Sequence, residues 1–167
     1  MKRRISLLMG LLYLIASMSV VAAPPSKLID GKISGQETCW QELCGFAHFF
    51  GTYNGKVSSE HTTGSFSVFL RHEDDLKTTP GEVTNVFSDN SLWFIWTSMG
   101  NFAGTIKGGT LTAKKNDRFD VNIQLLITKP EAYSNVTLTF IGVLDHSGLK
   151  KEPIPELPTI MGDIYSN

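Results

Sequence analysis

From Phe119 to Ile127 every second residue is apolar: Phe119, Val121, Ile123, Leu125 and Ile127 alternate with positions that include Asp120, Asn122 and Gln124. A helix would put these residues all round its circumference, whereas a strand puts them on one face, so the segment 118–128 is a half-buried β-strand. Gly64 to His72 repeats the pattern, with Phe66, Val68 and Leu70 opposed to Ser65 and Ser67. Further strands are expected at 47–58, 82–87, 91–98, 102–107, 110–114, 135–144 and 159–165, where Val, Ile, Thr and aromatic residues run between clusters of Gly, Asn, Asp and Ser. Lys107-Gly108-Gly109 and Lys115-Asn116-Asp117 carry tight-turn chemistry.

A second pattern narrows the architecture. An apolar residue, a glycine two positions on and another apolar residue two beyond it recur in 49–53, 102–106, 140–144 and 160–164, centred on Gly51, Gly104, Gly142 and Gly162. Residues i, i+2 and i+4 of a strand share a face, so each glycine falls on the inward row. Glycine there forfeits packing and marks a bend, a bulge or the close approach of another group. Small closed barrels need such bends. The expected fold is all-β: a single antiparallel up-and-down barrel of about eight strands, with a short helix or turn at its N-terminal side near Cys39 to His48.

Lys2, Arg3 and Arg4 precede an apolar run to Val21 and then Ala22-Ala23-Pro24, the order of a secretory signal peptide, with cleavage expected after Ala22. Residues 1–22 are read as that signal, 23–38 as a leader and 39–167 as the barrel domain. The protein is expected to be secreted or periplasmic, without a stable membrane insertion once the signal is cut. The basic head holds 3 of the 15 Lys and Arg residues, leaving 12 against 16 acidic ones, a net charge of −4. That balance argues against nucleic-acid binding, which needs a concentrated basic surface.

Cys39 and Cys44 are the only cysteines. In one continuous helix their Cα atoms would stand about 8–9 Å apart, beyond the reach of a disulfide, while a turn allows the bond. An oxidising compartment favours it, and the spacing fits neither a redox pair nor a metal site.

At Gly51-Thr52-Tyr53 the chain resembles the first strand of calycin-type barrels, the lipocalin and avidin architecture, in which a Gly-x-Trp opens the barrel; Phe102-Ala103-Gly104-Thr105 is similar to phrases of their later hairpins. Tyr53 stands in place of the Trp, and the Thr-Asp-Tyr phrase and closing Arg of lipocalins are absent. The resemblance implies a barrel holding a small apolar or amphipathic ligand, and Tyr53, Trp93, Ile95, Phe119 and Phe140 are the inward residues expected to line it.

Ser91 to Thr97 is apolar on both faces, with Trp93 and Ile95 on one and Leu92, Phe94 and Trp96 on the other; plain packing, a lined cavity, a sugar-stacking surface or an outer patch for a partner each fit. No phosphate loop, dinucleotide fingerprint or Gly-x-Ser-x-Gly occurs, and the four histidines have no metal-ligand spacing, so neither cofactor nor metal is expected. His72, Asp145 and His146 stand at strand ends, where a barrel has its rim, and are the candidates for acid–base chemistry or else solvated turn residues. The leading expectation is a non-enzymatic binder; a barrel isomerase or cyclase using these rim groups and a protein-interaction or inhibitor module are the alternatives. An outer-membrane barrel is disfavoured because most expected strands fall short of the roughly 9–11 residues such strands need.

Overall fold

The computed structural model describes residues 27–150 and 156–167; the expected signal peptide lies outside them. The chain forms eight strands: β1 (Ile29–Cys39), β2 (Ala47–Val57), β3 (Glu60–His72), β4 (Val83–Thr97), β5 (Gly100–Ala113), β6 (Arg118–Lys129), β7 (Thr137–Asp145) and β8 (Thr159–Ser166). Each pairs antiparallel with the next, and β8 returns to β1 from Asp30↔Tyr165 to Gln36↔Thr159, closing an up-and-down barrel. A single helical turn, α1 (Gln41–Cys44), separates β1 from β2, as expected for the short N-terminal helix. Gly45, at φ 74°, ends it in the left-handed conformation that glycine favours. Cys39 and Cys44 are bonded with their Cα atoms 6.2 Å apart, because the chain turns between them.

Three sequence assignments change. Residues 29–38 are the first barrel strand, not leader: the inward row of β1 reads Ile29, Gly31, Ile33, Gly35, Glu37, and only two apolar side chains mark its alternation. In consequence the Gly51-Thr52-Tyr53 phrase lies on the second strand. The segments 82–87 and 91–98 belong to one strand, β4, whose register shifts between Val86 and Leu92 around Asn90 at φ 57°. Likewise Lys107-Gly108-Gly109 is no turn but an irregularity within β5, where Gly108 takes φ 137°. Asn116 and Asp117 do form the β5–β6 turn, at φ 61° and 53°.

The strands run 8 to 15 residues, so length does not separate this barrel from a membrane-spanning one. Inward rows are largely apolar, and outward rows mix Asn54, Asp120, Asn122 and the ion pair of Lys32 with Asp163 with exposed apolar side chains such as Phe50, Ile141 and Met161.

The four recurrent glycines occupy inward rows with a common cause. Gly51 faces Gly35 across β1–β2, and Gly142 faces Gly162 across β7–β8. A Cβ on Gly51 would overlap the Ser34 carbonyl oxygen and the Gly35 Cα; on Gly104 it would overlap the Leu126 carbonyl oxygen, and on Gly142 and Gly162 the backbone across the pair. The strands coil so tightly here that the neighbouring backbone takes the space of a side chain.

Candidate functional site

Aromatic rings lie over these bends. Phe140 stands 2.6 Å from where a Cβ on Gly142 would be and 2.7 Å from that on Gly162; Trp93 does the same at Gly104, Phe66 at Gly35, and Tyr53 at Gly31 and Gly55. The sequence-expected ligand residues Tyr53, Trp93, Ile95, Phe119 and Phe140 thus all point inward and are all buried. Trp93 donates its indole N–H to the Leu126 carbonyl at 3.3 Å. Tyr53 donates its hydroxyl to the Lys56 carbonyl at 2.8 Å, and burial pushes the phenol up to about 12. What these side chains leave open is slight. The void beside Trp93, Ile95 and Phe140 is about 20 Å3, and a second one towards the α1 end is also about 20 Å3. Each has room for about one water. The interior is a packed core.

Polar groups gather at one end of the barrel, where β1, β3, β5 and β7 finish. Glu37, the last inward residue of β1 before its bulge, is 4% exposed. Its Oε2 lies 3.4 Å from Nε2 of His146, and neither atom has a hydrogen-bond partner. The His146 ring meets Phe119 edge-on at 5.4 Å, and its backbone N–H is held by the Asp117 carbonyl. His72, inward at the end of β3, lines the same cavity. Its Nδ1 lies 2.6 Å from the Glu73 carbonyl, which only accepts, so Nδ1 carries the proton and Nε2 is left as the acceptor of the neutral ring.

Above these groups opens a cleft of about 210 Å3, walled by Trp40, Gln41 and Glu42 of the α1 turn, Leu76 of the β3–β4 loop and Leu149 of a 3₁₀ turn at 147–150. The wall is fixed. The Gln41 amide closes on the His72 backbone in both directions, accepting its N–H at 2.8 Å and donating to its carbonyl at 3.0 Å. The disulfide ties α1 back to β1.

Two of the three rim residues expected from sequence therefore meet. The third, Asp145, faces outward: it accepts from Arg118 Nε and from the Ser147 N–H, each at 2.9 Å. Hydrogen bonding from Ser147, reinforced by Arg118, holds its carboxyl below the ordinary value. Glu37 was missed because residues 23–38 read as leader; its signal was a lone acidic residue at period two with Ile29, Ile33 and Gly35. Among the described residues no group of three His, Cys, Asp or Glu side chains is placed to hold a metal ion.

A separate feature lies outside the barrel on β2–β4. Phe46, His48, Phe69, Phe94 and Trp96 form a chain of ring contacts, with Phe94 and Trp96 stacked at 5.4 Å and 5° between planes. Trp96 stays 39% exposed, and Phe50 on β2 51%. His48 bonds Thr38 at 2.6 Å and Ser67 at 2.8 Å, and burial lowers its pKa.

No protein-family model, curated protein or solved structure matches the chain.

Proposed function

We propose that this protein is an exported, calycin-like barrel that binds a small amphipathic ligand at its open end, not in its interior. One observation carries the reading: the interior is filled to voids of about 20 Å3, while Glu37 Oε2 and His146 Nε2, buried atoms 3.4 Å apart and neither hydrogen-bonded, belong to side chains that line a cleft of about 210 Å3. A buried polar atom left unsatisfied costs on the order of 1–3 kcal/mol, and such costs concentrate where a ligand or a reaction uses the group. The basic head at Lys2 to Arg4 and the Cys39–Cys44 bond support export to an oxidising compartment. Native mass spectrometry of protein purified from its own host tests the reading: a bound small molecule lost in a Glu37→Gln/Trp40→Leu variant supports it, and retention by that variant contradicts it.

The exposed Trp96, stacked parallel on a half-buried Phe94, favours a second reading, a partner-binding outer face. Sedimentation of the native chain against Phe94→Ser/Trp96→Ser tests whether that face self-associates; identical monomers remove the self-association version.

A further inference from the structure

The chemistry of the cleft wall specifies a class of ligand. Among the described lining residues two carry carboxylates, Glu37 and Glu42, and none is Lys or Arg. Among the described residues Arg118 pairs with Asp145, Lys150 with Asp117 and Lys77 with Glu73. Trp40 contributes an indole that is 40% exposed, and Leu76 and Leu149 supply aliphatic walls. A carboxylate nine-tenths buried, with Oε2 lacking a donor and only an imidazole nearby, calls for a group that brings positive charge and hydrogen atoms together. An aromatic face beside it attracts the same kind of group through the ring quadrupole. An anion fits none of this: it would meet two carboxylates in a site of low local dielectric, where like charges are costly.

We infer that the open end of the barrel is a site for a small organic cation, an ammonium head on a short apolar body. The inference rests on the cleft being the ligand site. The head lies between Glu37 and the Trp40 ring, with Glu42 completing its electrostatic surroundings; the body packs on Leu76 and Leu149. The cleft, about 210 Å3 and open to solvent on one side, admits such a molecule. His72 and His146 are the remaining titratable groups among the described residues of the wall. The His146 Nε2 stands 3.4 Å from Glu37 Oε2, so a bound head shares that carboxylate with the imidazole.

Choline and its neutral carbon isostere 3,3-dimethylbutan-1-ol, titrated into the full mature chain and followed at the Trp40 indole N–H by NMR, test the inference. Choline is expected to move the Trp40 signal with an affinity at least tenfold above that of the alcohol. Glu37→Gln is expected to weaken choline by tenfold or more and leave the alcohol unchanged. Trp40→Leu, at an exposed position that does not endanger folding, is expected to weaken choline three- to tenfold by calorimetry. If both probes move Trp40 equally and Glu37→Gln alters neither, the cation inference is wrong and the cleft stands as a ligand site. If neither probe moves Trp40 in the folded native chain, the cleft reading fails, and the inference with it.

Discussion

Replacing Phe140 by Ala tests whether aromatic rings, and not a ligand, fill this barrel. Phe140 is buried in β7, and its ring covers the facing glycines Gly142 and Gly162. Losing about 150 Å2 of buried apolar surface at about 25 cal/mol/Å2 costs roughly 4 kcal/mol. The gap has little to collapse into it, since both glycines lack side chains, so much of the cavity term of about 24 cal/mol/Å3 is retained. The expected loss is therefore about 4–5 kcal/mol, at the upper end for a Phe→Ala change and a large part of a typical domain's 5–15 kcal/mol. Urea denaturation monitored by far-UV circular dichroism measures it as a lower midpoint at unchanged slope. The new cavity is apolar and joins the void of about 20 Å3 that Phe140 already lines; benzene is expected to raise the variant's midpoint and leave the native protein's unchanged. A loss below about 1.5 kcal/mol, or stabilisation of the native protein by benzene, refutes the packed interior.

Gly51→Ala places a Cβ on the Ser34 carbonyl and the Gly35 backbone and is expected to cost more than about 2 kcal/mol through forced strand separation; Gly45→Ala, with open space at φ 74°, is expected to cost about 1–2 kcal/mol, and thermal denaturation compares the two. The Cys39–Cys44 bond closes so short a loop that Cys39→Ala/Cys44→Ala is expected to lower stability by only about 2 kcal/mol, while freeing α1 and weakening probes of the cleft; unchanged binding argues against a fixed wall. Burial lowers the pKa of His48, so the unfolded chain takes up its proton first. That contribution to stability is full above the ordinary value of 6.5 and is lost as pH falls through the folded value; urea midpoints of His48→Gln between pH 7 and 5 are expected to fall less steeply than those of the native chain.

Much of the barrel was legible because alternation and glycine placement are local signals with one structural cause. Phe119 to Ile127 reads as a strand without reference to any neighbour, and Gly51, Gly104, Gly142 and Gly162 mark bends through the apolar residues either side. β1 escaped because its inward row spends two of five positions on glycine and one on Glu37, so hydrophobic periodicity is nearly silent. The irregularities at Asn90 and Gly108 read as strand ends because a bulge and a turn draw on the same residues. The inward direction of Trp93 and Phe140 followed from alternation, but whether inward rings line a cavity or fill it depends on how closely the opposite strands approach. That distance is set by glycine pairs such as Gly142↔Gly162, which lie on different strands. The meeting of His72 with His146 was inferable from strand ends; their convergence on Glu37 needed the closure of β1 onto β8.

The three tryptophans report separately on three parts of the molecule: Trp40 at the cleft, Trp93 in the interior and Trp96 on the outer face. Their indole N–H signals, resolved in one 1H–15N spectrum during titration with choline, test the account most directly. A shift at Trp40 with Trp93 and Trp96 unmoved is the predicted result. Movement of Trp93, 1% exposed and bonded to the Leu126 carbonyl, with Trp40 silent would contradict it, because the ligand would then occupy an interior that the rings are said to fill.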